Sequence, residues 1–125
     1  IAITSTALIQ ILKLVFHRQR PDLPIIKSIA TYSFPSGHTL SSFIFCGILI
    51  FILSNGKWKL VYKWIVSIVL ILFVITIGIS RIALRAHYPT DVIASFCLGI
   101  AWTILSLAVL QILNRKFSIS ENAVD

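Results

Sequence analysis

Along this chain the apolar residues come in four long runs, and the polar residues between them are grouped. The runs cover residues 1–16, 37–54, 60–79 and 92–113. A helix needs about 20 mostly apolar residues to cross a bilayer, somewhat fewer where its ends can snorkel. Within each run the apolar positions go all round the helical period instead of forming one stripe. That fits helices facing lipid and not an amphipathic soluble bundle. The expected fold is all-α, a transmembrane helix bundle with four helices in this chain.

Composition agrees with a membrane protein. The 125 residues are 58% hydrophobic and 12% charged, which excludes an ordinary water-soluble domain and leaves room for one domain over 1–125, with 114–125 as a C-terminal tail. There is no Met, and the apolar pattern is already running at Ile1. The chain therefore reads as an internal or C-terminal piece of a longer protein. Residues 1–16 lack the basic start and small-residue cleavage site of a signal peptide.

Charge changes the picture more. Eleven Lys and Arg stand against four Asp and Glu, a formal net charge of +7. In a soluble protein that balance suggests nucleic acid, but here the cations sit at the ends of apolar runs, where they meet lipid headgroups or an anionic substrate. The expected partners are membrane lipids and a lipid substrate, with no nucleic acid and no obligate protein partner. Cys46 and Cys97 lie inside apolar runs and read as small buried residues.

The connections alternate. Asn55, Gly56, Lys57, Trp58 and Lys59, with Tyr62, Lys63 and Trp64 beyond them, read as a short interfacial turn with an aromatic belt. Four helices then put residues 13–38 and 80–91 together at one membrane face, with the basic turn, Arg115 and Lys116 at the other. Basic loops favour the cytoplasm, so the polar face is expected outside. It carries Lys13, Arg18, Arg20, Lys27, Arg81 and Arg85 itself, cations that chemistry instead of topology can hold there.

Polar groups at membrane depth tend to be kept for a task, so the islands are where function is sought. The first is KLVFHRQRP, with Lys13 and Arg20 two helical turns and about 10 Å apart if the helix runs on to Gln19, before Pro21 stops it. Alone it is also simply a helix ending in snorkelling cations. The second is SFPSGHTL: Ser36 suits an N-cap, Gly37 allows close approach to unpaired amides, and His38 follows in the first turn as a candidate proton donor. It equally fits an ordinary capped helix with an interfacial His. The third is SRIALRAHYPTD, where Pro89 suits the first helical position, Tyr88 the cap and Asp91 the third residue in. Asp91 can then reach back to His87, and a carboxylate bonded to one imidazole nitrogen leaves the other free to attack. A capping acid beside an incidental His is the alternative.

Together the islands supply three cations, neutral donors, two His and one Asp on one face. That inventory suits phosphoryl transfer, where positioning and stabilisation of oxygen charge do most of the catalysis. No carboxylate cluster in it suggests a metal, and a lone Asp91 beside two His on separate helices argues only weakly for zinc.

These residues resemble the type 2 phosphatidic acid phosphatase superfamily, which also includes bacterial acid phosphatases and vanadium haloperoxidases. Its signature is K-x6-RP, PSGH and SR-x5-H-x3-D. The chain has Lys13, Arg20-Pro21, Pro35-Ser36-Gly37-His38, Ser80-Arg81, His87 and Asp91 with every spacing kept. The resemblance implies that His87 attacks phosphorus to form a phosphohistidine, that Asp91 orients it, and that His38 protonates the leaving oxygen and then helps water hydrolyse the intermediate. Lys13, Arg20, Ser36, Gly37 and Arg81 would hold the phosphate, with no metal and no cofactor. It also implies a six-helix protein whose last four helices carry the signature, in a bacterial plasma membrane with the site on the extracytoplasmic face. Substrates implied are phosphatidylglycerophosphate, undecaprenyl pyrophosphate or phosphatidic acid. A non-catalytic membrane protein that binds or transports lipid phosphates, and a vanadate-dependent haloperoxidase, are the alternatives. Arg85, Arg18 and Lys27 occupy positions the signature leaves open and read either as further anion contacts or as solvated loop residues.

Overall fold

The computed structural model describes residues 2–22, 25 and 31–121, with side chains from 3 to 114 among them. Lys27 and the side chains of Arg115 and Lys116 lie outside the described residues. The chain forms α1 (Ala2–Phe16), α2 (Gly37–Asn55), α3 (Leu60–Ala83) and α4 (Pro89–Glu121). Three helical stretches, Gly37–Asn55, Leu60–Ala83 and Pro89–Asn114, are long and apolar enough to cross a membrane, and α1 is a shorter apolar helix. This is the all-α bundle that the apolar runs predict. α3 continues past residue 79 because hydropathy marks where lipid contact ends, while the backbone ladder runs on through Ser80 and Arg81. α4 likewise continues past residue 113 into the stretch expected as a tail, ending at Glu121.

The burial pattern is inverted relative to a soluble bundle. Large apolar side chains such as Ile65, Val69, Leu72, Ile93 and Ile104 are exposed, as a lipid-facing surface requires. The apolar core is a small cluster of Ile9, Leu40 and Ile44, with Ile48, Leu98 and Trp102 against it. Asp91, Ser33, Ser36, Thr39 and Ser95, by contrast, are all fully buried. Cys46 is buried as expected, but Cys97 is exposed, because on a helix apolar all round an apolar position can equally face outward.

α2 is the hub, touching α1, α3 and α4. Its contact with α4 is close at Gly99, where an added Cβ would stand 2.6 Å from Phe43 Cδ1. Phe43 in turn lies edge-on to Phe96, with ring centroids 5.9 Å apart. Small residues let helices approach in this way when no hydrophobic effect drives them together in lipid.

Two helix ends shape the site. α1 stops at Phe16, short of the expected Gln19, because His17 turns into the left-handed region at φ 45°. Its N–H closes on the Lys13 carbonyl at 3.2 Å, a left-handed C-terminal cap. α3 ends in a Schellman motif: Arg85 sits at φ 52°, its N–H bonds Ile82 O at 2.9 Å, and Ala86 N–H bonds Arg81 O at 3.1 Å. Neither left-handed residue is the Gly that usually signals such a cap, and each conformation costs about 1–2 kcal/mol in a residue with a Cβ.

The N-termini of α2 and α4 lie side by side. Ser36 N–H reaches Asp91 O at 3.5 Å, and the Ser95 hydroxyl donates to Asp91 O at 2.7 Å and Ser36 O at 3.1 Å. At the opposite end Lys63 Nζ donates to Ser54 O at 2.6 Å, a cation on the C-terminal carbonyls of α2. Trp58, Tyr62 and Trp64 are exposed beside it, as an interfacial aromatic belt would be. Replacing Gly99 by Val should force Phe43 off α4 and destabilise the bundle by about 1–3 kcal/mol. A thermal melt in detergent reads this, and an unchanged midpoint would contradict the close approach.

Candidate active site

The ends of α1, α2 and α3–α4 enclose a cavity of about 440 Å³ whose lining includes Lys13, Arg20, Thr31, Gly37, His38 and His87. Five of the eight residues expected from the motifs thus share one space. Thr6, Gln10, Ser41 and Ser42 continue its wall along α1 and α2.

The cations reach the cavity differently from the expectation. With α1 ended at Phe16, Arg20 is not two turns along the same helix from Lys13 but comes back through the non-helical 17–20 segment. Both then grip the same piece of chain. Lys13 Nζ donates to Tyr32 O at 2.8 Å and Thr31 Oγ1 at 3.3 Å. Arg20 donates to Thr31 O at 2.9 Å, Thr31 Oγ1 at 3.1 Å and Ala86 O at 3.0 Å. Two cations thus share one hydroxyl and neighbouring carbonyls, which concentrates positive charge on one side of the cavity.

Ser36 and Asp91 lie behind the cavity. Ser36 is the N-cap residue of α2, as expected, but its hydroxyl pairs with Thr39 Oγ1 at 2.9 Å instead of capping a backbone N–H. It is fully buried. Arg81 stands beside the cavity: its Nε lies 3.3 Å from Ser80 Oγ, and its charge bears on His38. Its carbonyl has a second task, accepting His87 N–H at 3.3 Å and so pinning the turn that presents the imidazole.

The expected direct bond from Asp91 to His87 is absent. Asp91 Oδ2 is 3.7 Å from His87 Nδ1, beyond hydrogen-bond range. The Ser33 carbonyl takes that place, 2.8 Å from Nδ1. A carbonyl only accepts, so Nδ1 carries the proton and Nε2 keeps the lone pair. Asp91 is instead saturated by others: Arg18 Nη1 donates to Oδ1 at 2.7 Å, Tyr88 N–H to Oδ2 at 3.0 Å, and the Ser33 hydroxyl also to Oδ2. The Tyr88 bond is the helix-start contact expected of a third-position acid on α4.

Sequence reasoning left Arg18 open and passed over Ser33. Arg18 is neither a free loop cation nor a cavity residue: besides Asp91 it donates to Thr90 Oγ1 at 2.7 Å and lies 4.3 Å over the Tyr88 ring. Spacing alone carries no sign of a contact across 73 positions. Arg85 is exposed and serves the Schellman turn. Among the described residues no three His, Cys, Asp or Glu are grouped to hold a metal ion.

A family model described as the PAP2 superfamily matches residues 1–115. The chain belongs to the PAP2 superfamily. It is 32% identical over 98 residues to phosphatidylglycerophosphatase B of Bacillus subtilis, covering 78% of this chain and 48% of that protein. It is 33% identical over 78 residues to an undecaprenyl-diphosphatase of Sulfolobus acidocaldarius, covering 62% of this chain and 34% of that protein. The chain therefore spans about half the length, or less, of these curated relatives. A crystal structure of the transmembrane PAP2-type phosphatidylglycerolphosphate phosphatase of Bacillus subtilis superposes with a TM-score of 0.79 at 29% identity, covering 88% of this chain and 55% of that one. This PAP2 chain thus shares the fold of that transmembrane protein.

Burial, reinforced by Arg20 and then Lys13, pushes His87 down from its ordinary 6.5 to about 4, against the opposing pull of the Ser33 carbonyl and Asp91. The imidazole is therefore neutral at physiological pH. Because the unfolded chain takes up this proton more readily, stability present above 6.5 is lost as pH falls from there to about 4. NMR of histidine-labelled protein should show His87 titrating near 4, and a midpoint at the ordinary imidazole value would contradict the buried site.

Proposed function

We propose that this chain carries the active site of an integral membrane lipid phosphatase that cleaves a phosphomonoester or pyrophosphate through a phosphohistidine on His87, without a metal ion. The observation that carries the reading is an imidazole whose Nδ1 meets a backbone carbonyl at 2.8 Å, lining one cavity with two cations and a second histidine. The Nε2 lone pair attacks phosphorus, and the bond to the leaving oxygen breaks with its electron pair on that oxygen. His38 donates its proton there. Lys13 and Arg20, already convergent on Thr31, supply the positive charge for the equatorial oxygens that a metal would otherwise give, and Gly37 lets the phosphate approach the N-terminus of α2. Arg81 adds charge beside His38, and Ser36 shapes the wall from behind. Water, deprotonated by His38, then attacks the phosphohistidine and restores Nε2.

On attack the His87 ring becomes cationic, because Nδ1 keeps its proton. Asp91, 3.7 Å away, stabilises that charge through space. The apolar outer surfaces of the helices let a lipid tail stay in the bilayer while its headgroup enters the cavity. Phosphatidylglycerophosphate, undecaprenyl pyrophosphate and phosphatidic acid are the proposed substrate class; the first two accord with the names of the relatives. The basic turn at Lys57, Lys59 and Lys63 favours the cytoplasm, which supports a site on the extracytoplasmic face of a bacterial plasma membrane.

The purified protein should release inorganic phosphate from these three lipids in excess chelator, and His87→Ala should release none. His38→Ala should lose about 10²–10⁴-fold in turnover of lipid substrates, and less with p-nitrophenyl phosphate, whose leaving group needs little protonation. Full activity in His87→Ala would overturn the nucleophile. Tight lipid binding with no release would favour a carrier, and halide oxidation on addition of vanadate would favour a haloperoxidase.

A further inference from the structure

His87 and Asp91 are held by two residues that the three motifs leave unspecified, and the bonds converge on one of them. Ser33 uses every polar group it has. Its N–H donates to Arg18 O at 2.7 Å, its carbonyl accepts from His87 Nδ1 at 2.8 Å, and its hydroxyl donates to Asp91 Oδ2. It is fully buried. Arg18 closes the circuit from the other side through Asp91 Oδ1, and is itself fixed by Thr90 and the face of Tyr88. Both carboxylate oxygens of Asp91 are thereby engaged.

We propose that Ser33 and Arg18 are positioning residues for the nucleophile: the Ser33 carbonyl sets the His87 tautomer, and the two side chains hold Asp91 off the ring so that it acts by its field. The proposal rests on His87 being the nucleophile. A carboxylate bonded directly to Nδ1 would draw the proton from it and make the ring more basic. Here the proton stays on Nδ1, which donates to a neutral carbonyl, and the carboxylate's charge is partly offset by a guanidinium 2.7 Å from one oxygen. The result is an imidazole that remains an unprotonated nucleophile and gains electrostatic support only when attack makes it cationic, which is stabilisation specific to the transition state.

Arg18 should therefore control the proton affinity of His87. The charged and titratable groups around that ring are Arg20 from the 17–21 segment, Lys13 from α1, Asp91 from α4 and, across the cavity, His38 from α2 with Arg81 of α3 beside it. Removing the Arg18 cation unmasks Asp91 and leaves the others in place.

The test uses the complete protein in lipid nanodiscs, with NMR titration of His87 and turnover of phosphatidylglycerophosphate. Arg18→Gln should raise the His87 midpoint by about 1 unit or more, and Arg18→Lys should restore it most of the way. Ser33→Ala keeps the carbonyl but leaves Oδ2 held by the Tyr88 N–H without the hydroxyl; it should lower kcat about tenfold or more with KM within about threefold, and Ser33→Thr should recover part of the loss. Circular dichroism melts check that each variant is folded. Folded Arg18→Gln and Ser33→Ala proteins with the parent midpoint and kcat, alongside an inactive His87→Ala, would overturn the proposal and leave the phosphatase reading standing. An active His87→Ala would overturn both. Should phosphatidylglycerophosphate not be turned over, the NMR titration decides alone: a raised midpoint in Arg18→Gln upholds the proposal, and an unmoved one overturns it.

Discussion

The whole arrangement depends on one buried carboxylate. Asp91 is shut off from solvent, and a buried charge left without partners costs about 3–5 kcal/mol, so the chain must bring donors to it. They come from separate places: Arg18 after α1, Ser33 before α2, and the Tyr88 amide at the start of α4. Satisfying that one group fixes where both ends of the α1–α2 connection and the α3–α4 turn run. Those connections carry Arg20, the PSGH turn and His87, so the cavity's shape follows from the need to neutralise Asp91.

The membrane makes this requirement stronger. In water an apolar core would dominate the fold, but lipid gives apolar helices no reason to associate, and packing and polar contacts must hold them. Here close approach at Gly99 joins α2 to α4 lower down, while Ser95, Ser36 and Asp91 stitch the same pair at their N-termini. The buried interior at the functional end is therefore polar and cross-linked. Such a satisfied network is rigid, which suits a site whose proposed chemistry consists mainly of holding groups in place.

Two left-handed residues show how local strain serves the same end. His17 and Arg85 end α1 and α3 without glycine, and each lies within three residues of a group in the site, Arg20 after one and His87 after the other. A helix continuing through either position would carry those side chains past the cavity. The strain is offset by the bonds made immediately afterwards, from Ser33 N–H to Arg18 O and from His87 N–H to Arg81 O.

Much of this was legible in the sequence, and the division has a physical basis. Hydropathy determined the four helices and their alternation, because lipid contact acts residue by residue along the chain. Motif spacing pointed to Lys13, Arg20, Gly37, His38 and His87, which do share one cavity, and to Asp91 as the helix-start acid. What spacing could not carry were contacts between a motif residue and a residue that the motifs leave unspecified. Only the tertiary structure put the Ser33 carbonyl where Asp91 was expected, gave Arg18 its ion pair, and turned the Ser36 hydroxyl toward Thr39. It also ended α1 early, since the left-handed His17 is favoured by the bonds that follow it and not by its own propensity. The sequence thus determined which groups exist and at which end of the helices they gather; the buried charge, which must be neutralised in three dimensions, decided how they meet.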